Sequence, residues 1–189
     1  MKVHTALRRP GYEFCYPIDK TDFDTIKEQV NGTARQSTWR PIPMQLIREN
    51  NGERLVASDS PWFGGSALIF RPNAVKALGP LLRDQGELLP LACNGAELFM
   101  YNPTHVIDAL DEEASTVTRF KSGRIMMIQR YVFRADVIGE LDAFKIPNLR
   151  VSPTFLSQRF VDRWEASDLQ GLQFTPLWAE LPKPPPRRI

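Results

Sequence analysis

SALIFRPNAVKALGPLLRDQG, residues 66 to 86, passes from one hydrophobic period to another within a few positions. Residues 66 to 70 are a short apolar run, read as a strand. Beyond residue 71, Val75, Leu78 and Leu82 recur at helical spacing, and Gly86 stands where a helix stops. Gly79-Pro80 falls inside that pattern. Pro80 has no N–H to donate to the carbonyl of Lys76, so the spacing predicts a kink or two short pieces.

The same mixture extends outward in both directions. Toward the N-terminus, Tyr12 to Ile18 is rich in aromatic and branched residues and is stopped by Pro17, which predicts an edge strand. DFDTIKEQV, residues 22 to 30, places Phe23, Ile26 and Val30 on one helical face ahead of Asn31-Gly32. Pro41 to Arg48 reads as a strand, and Asn50-Asn51-Gly52 as a hairpin turn into Arg54 to Ala57. Toward the C-terminus, Glu97 to Tyr101 is a strand ended by Asn102-Pro103. Lys121-Ser122-Gly123 is a turn, with RIMMIQRYVF after it as the longest strand.

Ser152-Pro153 opens a helix carrying Leu156, Phe160 and Trp164, and LQFTPLW with Pro176 is a further edge strand. Helices and strands mix without regular βαβ alternation. The economical fold is α+β: one domain with a mainly antiparallel sheet and a few short helices packed against it.

A chain of 189 residues with 42% hydrophobic content can bury a core in one domain, and 16 prolines keep its elements short. The net charge of +2 conceals an asymmetry. Residues 1 to 9 carry Lys2, Arg8 and Arg9, and residues 183 to 189 carry Lys183, Arg187 and Arg188, with no acid in either stretch. Residues 10 to 182 then hold 18 Lys+Arg against 22 Asp+Glu, a mildly acidic body between a basic N-terminal arm and a proline-rich basic tail.

Nucleic acid is a poor partner for such a body, since phosphate affinity needs clustered positive charge. No run approaches about 18 consecutive apolar residues and the first residues lack a signal-peptide pattern, so neither membrane nor export is expected. Cys15 and Cys93 have no CxxC or Cys/His pattern near them, which suits the cytoplasm and offers no zinc site; a single disulfide between them stays open.

NPTHVIDALDEEAS, residues 102 to 115, concentrates His105, Asp108, Asp111, Glu112 and Glu113. On a helix, His105, Asp108 and Glu112 fall within a sector of about 60°, a ligand set for zinc or iron. On a strand, His105 and Asp108 point to opposite faces. As a solvated edge, the carboxylates face water, cap turns, or pair with Arg119 or Arg124. His4 is the other histidine and lies in the arm.

Gly64-Gly65-Ser66 lacks the GxSxG elbow, and no phosphate-cradling glycine loop is present. The residues therefore assign no catalytic group and no cofactor. Trp62, in SDSPWFGG, sits among turn formers, either folded over the core or held out as a contact.

Six blocks in order then carry a likeness: GELLPL (86 to 91), NPTHVIDALDEEAS, SGRIMMIQRYVF (122 to 133), FKIPN (144 to 148), VSPTFLSQRF (151 to 160) and LQGLQFTPLW (169 to 178). Together, across roughly residues 66 to 178, they resemble the Imm11 immunity family of bacterial polymorphic toxin systems. The resemblance implies a cytoplasmic, non-enzymatic protein encoded beside a toxin, often a nuclease, which it binds to protect the producer. Asp108, Asp111 and Ser115 correspond to the family's recurrent polar positions.

Under that reading Asp108, Asp111, Glu112 and Glu113 become partner-binding candidates that steer a basic cleft, with Trp62 as the buried anchor. The chain's charge of +2 departs from the strong acidity usual in nuclease inhibitors. Two alternatives stay open: a metal-dependent hydrolase using His105, Asp108 and Glu112, and a scaffold protein of a secretion system.

Overall fold

KVHTALR, residues 2 to 8, buries Val3, His4 and Ala6, and it does so inside a sheet. In the computed structural model, which describes residues 1–149 and 151–180, this segment is strand β1 (Lys2–Arg8). It lies between two antiparallel neighbours, and the expected N-terminal arm is corrected accordingly. The tail at 183 to 189 lies outside the described residues. Lys2, Arg8 and Arg9 therefore belong to the body, where 21 Lys+Arg face 22 Asp+Glu over residues 1 to 182.

The other elements follow in chain order. First come β2 (Phe14–Pro17), α1 (Asp22–Gln29), β3 (Pro43–Ile47), β4 (Glu49–Asn50), β5 (Glu53–Arg54) and β6 (Leu68–Phe70). Next are α2 (Pro72–Leu78), α3 (Pro80–Arg83), β7 (Gly86–Cys93), β8 (Leu98–Pro103), β9 (Thr116–Arg119) and β10 (Ile125–Arg130). The chain then forms α4 (Ala135–Ile138), β11 (Ala143–Phe144), β12 (Phe155–Ser157), α5 (Gln158–Ala166) and β13 (Leu172–Ala179).

Two sheets dominate: β11-β12-β1-β13, antiparallel throughout, and β2-β3-β7-β8-β6, antiparallel except where β3 meets β7. The α+β, mainly antiparallel expectation holds.

Strand alternation divides the apolar side chains among three cores. Leu68, Phe70 and Tyr101 from the five-stranded sheet meet Ala6, Ala143 and Leu156 from the four-stranded one, with α2 and α5 supplying Val75, Leu78, Phe160 and Trp164. The far face of the larger sheet, with Ile69, Leu89 and Met100, is covered by Ile26 and Val30 of α1 and its end. The far face of the smaller sheet, with Val3, Phe144 and Phe155, is covered by Leu110, Ile125, Ile128 and Phe133.

Proline and glycine act where expected. Gly79, at φ +47, separates α2 from α3. Asn51 and Gly52 take positive φ in the tight turn between β4 and β5. The edge strands β2 and β13 carry Pro17 and Pro176.

Other expectations are corrected. Phe155 and Leu156 turn into opposite cores, so the chain after Pro153 is a strand; α5 begins at Gln158, where Ser157 Oγ accepts from Phe160 N at 3.0 Å. Ser152 Oγ instead accepts from Ile146 N. RIMMIQRYVF gives a strand only to Arg130; β7 and β13, at eight residues, are longer.

Two buried ionisable side chains join these layers. Glu13, fully buried, accepts from Ser58 N at 3.0 Å, Arg71 Nη2 at 2.7 Å and Arg48 Nε at 3.0 Å. Lys145, 2% exposed, donates from Nζ to Ser66 O at 2.6 Å and Ser152 O at 3.1 Å. Burial pulls its amine from the usual 10.5 down to about 7.

Two outcomes are expected in urea unfolding. Trp164→Ala empties the contact between α5 and Phe70 and lowers stability by about 3–5 kcal/mol. The second concerns Lys145, whose unfolded-state amine binds protons that the folded one refuses between pH 7 and 10.5. The cost of burying it is therefore absent above the unfolded value and grows as pH falls toward 7. Raising pH from 7 to 9 should stabilise the wild type more than Lys145→Met, and equal slopes would contradict the buried-amine account.

Candidate partner-binding surface

NPTHVIDALDEEAS does not form a helix. After β8, the backbone of Lys145 holds this segment beside β11: Lys145 N donates to His105 O at 2.8 Å and Ile107 N to Lys145 O at 2.9 Å. From Ala109 to Arg134 the chain then folds as one long hairpin. Arg134 N donates to Ala109 O, Leu110 bridges Phe133, and Asp111 N donates to Val132 O. The two arms continue as β9 and β10, and Phe120 N donates to Arg124 O at the tip. Leu110, Ile125, Ile128 and Phe133 anchor the hairpin in the third core.

The acidic residues lie along the outgoing arm of this hairpin. Asp111 Oδ1 accepts from Ala114 N at 2.9 Å and its carbonyl accepts from Ser115 N, closing a turn that carries Glu112 and Glu113. Ser115 Oγ in turn accepts from Val132 N. Asp108 Oδ2 pairs with Arg134 Nη2 at 2.9 Å, and Glu112 pairs with Arg119. Among the described residues, Asp111 and Glu113 have no cationic group within 4.0 Å. Asp108, Leu110, Asp111, Glu112, Glu113, Arg134 and Asn148 line one open hollow.

His105, Asp108 and Glu112 are not stacked on a helix face, and among the described residues no group of three His, Cys, Asp or Glu side chains can hold a metal. The ligand set that the hydrolase alternative needs is therefore not assembled. His4 lies buried in β1, not in a mobile arm, and burial lowers its pKa. Cys15 and Cys93 are both free thiols; burial pushes Cys15 up to about 12.

Trp62 is partly buried against the first core, with Trp62 N donating to Glu13 O and Trp62 O accepting from Cys15 N. The hairpin packs in the third core, on the other face of the four-stranded sheet. The structure therefore groups Asp108, Asp111, Glu112 and Glu113 and leaves Trp62 apart from them.

The hairpin also presents apolar groups that sequence reasoning did not single out. Phe120, Met126 and Met127 are 43%, 47% and 48% exposed. In a regular strand, one of two successive methionines would face inward. Here the register shifts between Ile125 and Met127, so both methionines face out while Ile125 and Ile128 face in.

This surface lies within the stretch that has relatives. Residues 92–178 match the Immunity protein family (Imm11). Among curated proteins, none matches the chain. The Imm11 stretch starts at the end of β7 and contains β8, the whole hairpin, α5 and nearly all of β13, bearing out the resemblance over those residues.

Replacing Asp111 by Ala removes the acceptor that closes the turn. Stability should fall by about 1 kcal/mol, and the Ala114 amide should exchange faster while amides of β1 keep their protection. An unchanged Ala114 exchange rate would show that Asp111 does not hold the turn.

Proposed function

We propose that this chain is an immunity protein that binds a toxin of its own cell and blocks it by covering the toxin's working surface. It acts stoichiometrically, without turnover and without a cofactor. The Imm11 match, which contains a hairpin that displays both apolar and acidic groups, carries this reading.

The physical division of labour follows from the hairpin. Carboxylates at its rim, Asp111 and Glu113 above all, raise the encounter rate with a basic partner surface. Phe120, Met126 and Met127 supply apolar area that gains from leaving water. A nuclease, with its basic substrate cleft, is a toxin class that fits the rim. Asp108 and Glu112 are already paired with arginines, so occlusion, more than wholesale mimicry of a nucleic acid, accounts for the inhibition. No helix among the described residues is long and apolar enough to cross a membrane. Two free thiols are in keeping with work in a reducing cytoplasm.

Co-expression with the product of the adjacent reading frame tests the function. Growth arrested by that product should be restored by this chain, and continued arrest despite soluble immunity protein would refute it. For the mechanism, Glu113→Lys should slow association roughly threefold at low salt and flatten its salt dependence. Identical kinetics on both counts would remove the carboxylate rim from the mechanism.

A further inference from the structure

Sheet edges with unpaired backbone groups are where extended chains attach, and most edges here are closed. The outer side of β2 is occupied by bridges from Tyr12 to Val56 and from Phe14 to Trp62. That of β6 is met by Ser60 Oγ, which donates to Ile69 O. Val106 bridges Lys145 beside β11, and Leu149 bridges Ile125 at the start of β10, whose remainder is broken by two register shifts. β13 is uncovered but blunted: Pro176 lacks an N–H, and the register breaks opposite Val3 and His4.

β9 is different. It pairs with β10 on one side, and among the described residues its other side has no strand partner. Phe120 N points inward to Arg124 O, so alternation turns the N–H and C=O of Arg119 and Val117 outward. No proline interrupts Thr116 to Phe120.

Charged groups mark both ends of this edge, with Arg130, on Ala114 O, beside the carboxylates at its start. Asp111 and Glu113 stand before β9, while Lys121 and Arg124 stand at the hairpin tip, without a carboxylate within 4.0 Å among the described residues. Phe120, Met126 and Met127 are exposed on the same hairpin.

We propose that the outer edge of β9 takes an extended segment of the toxin as an added strand, with a basic residue of that segment meeting Asp111 and Glu113 and an acidic one meeting Lys121 and Arg124. The proposal rests on the immunity reading above and names its contact surface. Main-chain hydrogen bonds would give the attachment its strength, and the two charged ends its register.

The test uses the full chain and a catalytically inactive form of the adjacent reading frame's product. On mixing, the amides of Val117 and Arg119 should exchange roughly tenfold slower or more. Val117→Pro, which removes an outward N–H and leaves the inward hairpin bonds, should weaken binding roughly tenfold or more; because the Val117 side chain also packs against the third core, the loss is read at a temperature where the variant is folded. Lys121→Glu, outside the strand, should weaken binding without any demand on β9 folding.

A complex that forms while the Val117 and Arg119 amides exchange as in the free chain overturns the strand-edge proposal and leaves the immunity function standing. So does new protection confined to β13, or a dimer of this chain that Val117→Pro dissociates in sedimentation. A wild-type chain that neither binds nor rescues overturns both.

Discussion

The Lys145 amine is the point through which the architecture is tied together. Its side chain ends between the carbonyl before β6, at Ser66, and the carbonyl before β12, at Ser152, and so spans from one large sheet to the other. Its backbone pairs with His105 and Ile107, where the hairpin departs. Taking this amine out of water is costly, as its lowered proton affinity shows, yet its N–H groups satisfy the carbonyls of Ser66 and Ser152. Thr154 Oγ1 shares Ser66 O, so the same junction also orders the entry into β12.

Glu13, just before the edge strand β2 of the larger sheet, serves in a comparable way. With no exposed surface of its own, it gathers Arg48 after β3, Arg71 at the start of α2 and the amide of Ser58. A carboxylate so surrounded has both oxygens satisfied, and removal of either arginine would strand it. Between the two large sheets the aromatic side chains of Phe70, Tyr101, Phe160 and Trp164 pack in the first core. Polar ties set which loops meet; apolar contact supplies the cohesion.

Local chemistry made much of this legible in the residues. Gly79-Pro80 had to interrupt a helix, Asn51-Gly52 suited a tight turn, and Pro17 and Pro176 could only sit at edges. What escaped depends on distant partners. KVHTALR looked like a basic arm because its charges are visible in sequence, whereas its place between β12 and β13 is not. The carboxylates of residues 108 to 113 were visible as a group, but their helical stacking was not realised, because the Lys145 backbone draws the preceding segment into sheet pairing. Likewise the outward display of Met126 and Met127 follows from a bulge, which leaves no trace in composition.

That bulge has a corollary for substitution. Since Ile125, Ile128 and Phe133 fasten the returning arm, side chains at 120, 126 and 127 are relieved of any duty to the interior. Substitutions at those three positions would reshape this outer surface at little cost to foldedness, leaving the chassis as it is.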